Sequence, residues 1–236
     1  MDNSKYETIT GEMMALADDN KSEVLQRFFK TGEGEYGCGD KFLGIKVPVT
    51  RGVAKKHKDA GLSVIKRLMQ SEWHEIRLCA LLIMVEKMKK AGADERREIT
   101  ETYLSVTERI NNWDLVDLSA PQIVGYYLLD KPRDLLYTLA ESPLLWDNRI
   151  AMVATYAFIK KGDLDDTFAL ALRLMRHPHE LMHKAVGWML REAGKRNITM
   201  LRDFVYLHRA EMPRTMLRYA IEKFPEAERK LILKMR

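Results

Sequence analysis

Four short stretches of this chain can be laid over one another on a basic residue, and the spacing between them is nearly constant. They are HEIRLCALL (74–82), DNRIAMVAT (147–155), MHKAVGWML (182–190) and MLRYAIEKF (216–224), placed in register on Arg77, Arg149, Lys184 and Arg218. Arg77 and Arg149 lie twice 36 residues apart, with Trp113 of INNWDLVDL at the midpoint, and the later steps are 35 and 34. A period of this length accommodates two helices and their turns. It marks an architecture in which each unit buries its apolar face against its neighbours along the array.

The local pattern agrees. Apolar residues recur at spacings of three and four almost everywhere, and almost no stretch alternates with period two. Residues 74–89, 146–161 and 164–176 read as amphipathic helices, and Pro48, Pro132, Pro143, Pro178, Pro213 and Pro225 each fall at or just before an expected helix start, where a missing N–H costs little. The fold class we expect is all-α, an α-solenoid of HEAT-like helical repeats with a concave basic groove. The chain reads as a single domain over residues 1–236, with N-terminal helices in 1–30, a Gly-rich connector in 31–47 and helical repeats from 48 to 236.

Composition excludes some classes and permits others. The longest apolar run, Leu78 to Val85, is too short to span a bilayer. The opening MDNSKYETIT has neither a basic nor an apolar leader, and the two cysteines, Cys38 and Cys79, have no metal-type spacing. We expect a cytoplasmic, monomeric protein without a membrane partner. A net charge of +5 permits an anionic partner such as nucleic acid without requiring one.

Two motifs invite chemistry and lack its setting. Gly32 to Gly37 spells G-x-G-x-x-G, but a dinucleotide site needs a strand before it and a helix opening within it. Here a helix ending in Arg27-Phe28-Phe29-Lys30 precedes and more loop follows. His179-Glu180-Leu181-Met182-His183 spells the H-E-x-x-H of zinc peptidases, in which two histidines one turn apart hold the metal and the glutamate is the base. Pro178 is expected to start that helix, which puts His179 in its first turn. No sheet supports it, and Glu192, Asp203 and Glu211 offer no compelling third ligand. We expect no metal and no cofactor.

The repeat frame supplies a better site. The recurring position holds Arg77, Trp113, Arg149, Lys184 and Arg218, and large polar or cationic side chains at a recurring inner position rarely serve a core. One turn further along, Asp117 follows Trp113 and Trp188 follows Lys184. A carboxylate between two tryptophans, flanked by Arg149 and Lys184, suits a cationic, ring-shaped group beside phosphates, because aromatic faces attract cations and the basic groups suit phosphate oxygens. From spacing alone, the alternative in which both tryptophans are core and Asp117 pairs with Arg149 stays open.

At these residues the chain resembles the DNA alkylation repair family of HEAT-like repeat DNA glycosylases (AlkD-like). The resemblance is carried by KFLGIKVPVTRGVAKK (41–56), NNWDLVDLSAP (111–121), LLWDNRIAM (144–152) and HKAVGWMLREAGK (183–195), and covers the chain from about residue 20 onward. It implies that Asp117 is the catalytic aspartate, that Trp113 and Trp188 contact the lesion-bearing deoxyribose, and that Arg149 lies at the DNA backbone beside the lesion. Lys184, Arg77 and Arg218, from the repeat frame, complete the expected DNA contacts. Phe28 falls near a position where relatives carry tyrosine, and residues 179–181 replace aromatic residues found in some of them. The implied activity is excision of N3-methyladenine and N7-methylguanine from double-stranded DNA by N-glycosidic hydrolysis, with the base still stacked. That last feature matches a sequence with no evident base pocket. Two other classes remain as alternatives: a non-catalytic scaffold that binds DNA or protein, and a zinc peptidase.

Overall fold

The computed structural model describes residues 2–235 and is all-α. The only β pairing among the described residues is an isolated bridge between Lys41 and Trp73. The chain divides into two compact units, one running to Ser119 and the other from Ala120.

The first unit contains α1 (Asp2–Ala15), α2 (Asp19–Phe28), α3 (Val47–Lys56), α4 (Leu62–Met69), α5 (His74–Met88), α6 (Ala93–Leu104) and the short α7 (Trp113–Asp117). Its centre is α5, where every residue from His74 to Val85 is buried. From Leu78 to Val85 the helix is apolar on all sides and has to lie inside a domain, and α1, α3, α4, α6 and α7 all pack against it. Each buried Leu, Ile or Met side chain stabilises the unit by about 1.5–3 kcal/mol before entropy is counted.

Between α2 and α3 runs the Gly-rich connector, which is tied down at its C-terminal end. The Ser22 hydroxyl donates to the Phe42 carbonyl at 2.7 Å, and the Glu75 carboxylate accepts from the N–H groups of Leu43 (2.8 Å), Gly44 (2.9 Å) and Ile45 (3.1 Å). Gly44 is required here. Its φ is +81°, and a Cβ would lie 2.1 Å from the Asp18 carbonyl oxygen.

The second unit contains α8 (Asp134–Ala140), α9 (Leu145–Ala154), α10 (Tyr156–Lys161), α11 (Asp165–Leu174), α12 (Glu180–Gly194), α13 (Ile198–His208), α14 (Arg214–Ala220) and α15 (Glu226–Lys234). Helix α12 packs against α9 on one side and α14 on the other. The approach to α14 is close because a Cβ at Gly187 would lie 2.6 Å from the Met216 carbonyl oxygen.

Several expectations shift at their edges. The helix expected over 146–161 is broken at Thr155 into α9 and α10. There the threonine hydroxyl donates back to the Met152 carbonyl at 2.7 Å. Pro48 sits in the first turn of α3, Pro132, Pro143 and Pro178 lie two residues ahead of α8, α9 and α12, and Pro213 and Pro225 cap α14 and α15. The seventh proline, Pro121, opens a π-helical turn that the helical period did not reveal.

Candidate active site

Helix α7 is five residues long and cannot hold itself together, so its surroundings fix it. Asn112 caps it, its side-chain oxygen accepting from the Trp113 N–H at 2.8 Å. Trp113 then stacks on Phe29 (ring centroids 5.2 Å, planes 24° apart) and meets the edge of Phe28 (5.9 Å, 72°). Phe29 stacks in turn on Phe42, and Phe42 on the His74 imidazole at 4.4 Å. One turn beyond Trp113, half-buried Asp117 borders a cavity of about 530 Å³ that is also lined by Phe28, Phe29, Phe42, His74 and Trp113.

Beneath those rings lies a buried ionic cluster. His74 is held between two carboxylates, Nδ1 against Asp40 at 3.0 Å and Nε2 against Asp114 at 2.9 Å. Burial disfavours the imidazolium, but the charge and hydrogen bond of Asp114, joined by those of Asp40, win and raise the pKa of His74 to about 9. Burial likewise works against ionised Asp40. The hydrogen bond from His74 and the Arg77 charge outweigh it and hold Asp40 below the ordinary carboxylate range. Asp114 therefore anchors α7 to α5, and Asp40 anchors the connector to the same histidine.

Arg77 belongs to this cluster, and its expected DNA contact is corrected. The residue is 1 % exposed, with Nη2 donating to Asp40 (2.5 Å) and Asn111 (3.0 Å) and Nη1 to the Ser71 carbonyl (2.9 Å). A guanidinium enclosed this way is a structural cation with no path to a phosphate. The rule that recurring inner cations avoid the core fails here because a buried arginine paired with a carboxylate and further acceptors at both Nη groups is tolerated.

In the second unit, Arg149 on α9 is also buried, at 5 % exposure, and Nη1 donates to the Leu181 carbonyl at 2.6 Å. It is held rather than free to follow a mobile backbone. Lys184 on α12 is half-buried and lies 3.2 Å from Glu180 one turn away, a surface pair of little energetic weight. Trp188 on the same helix is half-buried against Tyr156, ring centroids 6.2 Å apart, and Arg218 on α14 is exposed. The structure thus brings Phe28, Trp113 and Asp117 to one pocket in the first unit. It sets Arg149, Lys184, Trp188 and Arg218 on the packed helices α9, α12 and α14 of the second.

The zinc-like spelling resolves into a helix cap. His179 precedes α12 instead of lying in its first turn, and its Nδ1 accepts from the Leu181 N–H at 3.1 Å. His183 Nε2 donates to the His177 carbonyl at 2.6 Å. Burial lowers the pKa of His179, which suits a ring nitrogen acting as acceptor. Among the described residues no group of three or more His, Cys, Asp or Glu could hold a metal ion, and no helix is long and apolar enough to cross a membrane.

Residues 9–224 match the family described as DNA alkylation repair enzyme. The chain belongs to that family. A solved structure described as "Predicted DNA alkylation repair enzyme from Enterococcus faecalis" shares the fold with a TM-score of 0.70 over 89 % of this chain and 97 % of its own, at 15 % sequence identity. No curated protein matches. As a DNA alkylation repair enzyme the protein has DNA as its partner.

Sequence reasoning missed Asp40, His74 and Asp114. Asp114 stood inside the WDLVD segment and His74 opened the first repeat stretch, so both were in view without a partner to give them meaning. Asp40 lies in a glycine-rich connector whose composition signals only a loop. The pocket itself was also missed, since it is built from α2, the connector, α5 and α7.

Proposed function

We propose that this family member hydrolyses the N-glycosidic bond of positively charged alkylated purines in double-stranded DNA, N3-methyladenine and N7-methylguanine being the simplest cases. The observation that carries the reading is Asp117, a half-buried carboxylate at the mouth of an aromatic pocket beside Trp113. Bond breaking builds positive charge on the deoxyribose. A carboxylate about 4 Å away stabilises it by about 4 kcal/mol at an effective dielectric near 20, worth about a thousandfold in rate. Asp117 also orients the attacking water. In the first unit Trp113 offers a face to the cationic sugar and Phe28 binds DNA; in the second, Trp188, exposed Arg218 and Lys184 are assigned to DNA contact and Arg149 to a fixed charge.

The other carboxylates at the pocket support a restriction on the substrate. Asp114 is committed to His74 and Glu75 to three backbone N–H groups, so neither is free to protonate a leaving base. Glycoside hydrolysis normally employs a second carboxyl group as that acid. Without one, only a base that already carries positive charge departs readily, as a neutral molecule. The test is single-turnover release of N7-methylguanine and of uracil from otherwise identical duplexes. We expect release of N7-methylguanine and little of uracil. Failure to release N7-methylguanine would leave a DNA-binding scaffold, and equal rates for the two would reveal a missing acid.

A further inference from the structure

In the second unit, two neighbouring residues of α9 reach across to the turn that leads into α12. Asn148 meets the His177 imidazole, and Arg149 Nη1 donates to the Leu181 carbonyl at 2.6 Å. Leu181 is gripped from its other side as well, because its N–H donates to His179 Nδ1 at 3.1 Å. We propose that His177 and His179 form a proton-operated latch on α12: neutral, they hold its first turn against α9, and protonated they release it. The latch governs DNA binding through Lys184 and Trp188 of the same helix, and to that extent it rests on their assignment to DNA contact.

The hydrogen bonds leave each ring one protonation state. Asn148 is 3 % exposed, and its amide nitrogen donates to the carbonyls of Leu139 (2.9 Å), Ala140 (3.2 Å) and Ser142 (2.9 Å). Its Oδ1 is therefore the atom turned to His177, and His177 Nε2, 3.1 Å away, has to be the donor. His177 Nδ1 accepts from the His179 N–H at 3.1 Å. A further proton can go only to Nδ1, where it faces that N–H. His179 is in the same position, its Nδ1 accepting from the N–H that it caps. The two bonds run in series, His177 holding the backbone of His179 and His179 that of Leu181. Protonation of either ring replaces an acceptor with a donor and leaves the N-terminus of α12 short of its cap, a loss that frays a first turn. His183 is different. Its Nε2 donates to the His177 carbonyl at 2.6 Å, a bond that survives protonation.

The surroundings set the latch to open in mild acid. Burial, joined by the charges of His179 and His183, lowers the pKa of His177. Burial also lowers that of His179, where Glu180 opposes the shift and His183 and Arg149 reinforce it. The acids nearby have partners of their own. Glu180 lies 3.2 Å from Lys184, and Asp147 of α9 accepts from the Ser142 hydroxyl at 2.7 Å. Arg176, next to His177 in the chain, pairs with Glu211 at 2.6 Å. A histidine whose folded pKa lies below its unfolded value of 6.5 supports the fold fully above 6.5, and that support is lost as pH falls below it. Both rings are half-buried, so protons reach them without unfolding. The added charge acts on DNA in the opposite sense, since cations attract phosphate. A fall in affinity on acidification therefore reports the latch and not the charge.

The test compares the wild-type protein with the double variant His177→Gln, His179→Asn from about pH 7.5 to about pH 5 at constant salt. Asparagine is a strong N-cap, glutamine keeps a donor and an acceptor, and neither titrates in this range. His74, its pKa raised to about 9, keeps its proton throughout. Hydrogen exchange of the Leu181 amide, expressed as a protection factor, reads the latch, and affinity for undamaged duplex reads its consequence. We expect the wild-type protein to lose at least tenfold in protection and at least fivefold in affinity on acidification, and the double variant to lose neither. Protection that holds in the wild-type protein, or falls equally in the variant, overturns the latch. Affinity that holds or rises while protection falls overturns its control of DNA binding. If the wild-type protein binds no duplex at neutral pH, the assignment of α12 to DNA contact falls and Leu181 protection alone decides the latch. Should circular dichroism show the double variant unfolded, His179→Asn alone takes its place with the same expectation.

Discussion

His74 sets the terms for the first unit because three segments meet on one imidazole. Asp40 of the connector and Asp114 of α7 bond its two nitrogens, while Phe42 stacks on its face. Removing one partner of a buried ionic pair typically costs about 3–5 kcal/mol, and His74→Ala leaves Asp40 with Arg77 and Asn111 and takes from Asp114 the imidazole that bonds it. We therefore expect His74→Ala to lower the urea stability by that amount. The pH dependence follows from the raised pKa. A group that binds its proton more tightly when folded stabilises the fold fully below its unfolded value of 6.5, and that contribution is lost as pH rises through about 9. The wild-type unfolding midpoint should fall across that window, and the alanine variant should lack the fall. A midpoint flat from pH 6.5 to 9 would mean that His74 is neutral in the folded protein. Nothing in the sequence exposed this cluster, because Asp40 and His74 are 34 residues apart and Asp114 a further 40. A periodic pattern reports which face of a helix is apolar and is silent on which distant acid a buried base will meet. Arg77 was misread for the same reason.

The helices were legible wherever spacing and breakers agreed, as in α5 and α11, since burial of one stripe imposes the period that the eye detects. They were not legible where a single side chain redirects the backbone. Thr155 divides α9 from α10 by bonding backwards, and His179 caps α12 from outside it. Contacts between elements were partly legible through glycine. Gly187 sits in the KAVGW segment that carries the family resemblance, and its role is to admit the backbone of α14. A methyl group there would meet the Met216 carbonyl oxygen and Tyr219 Cβ, both at 2.6 Å. Overpacking of this kind costs about 1–3 kcal/mol. Gly187→Ala should show that loss in chemical denaturation, and a stability unchanged within error would mean that α12 and α14 separate without cost.

For the whole molecule, the claim is that this DNA alkylation repair enzyme reads its substrate through charge. Its binding should weaken with salt, with a log–log slope set by the phosphates it neutralises. Arg218→Ala should flatten that slope by about one unit, whereas Arg77→Lys should lower stability and leave the slope as it was, because Arg77 is enclosed. A slope that responds to Arg77 and not to Arg218 would reverse the division between structural and DNA-binding cations drawn here. Asp117 bears the larger claim. Asp117→Asn keeps the shape of α7 and removes the one charge assigned to the transition state, while relieving its repulsion of phosphate. Single-turnover excision of N7-methylguanine, measured beside duplex affinity for the wild-type protein and Asp117→Asn, tests this most directly. The account predicts excision reduced by about a thousandfold with affinity equal to or above that of the wild-type protein. Excision at the wild-type rate by Asp117→Asn would contradict it.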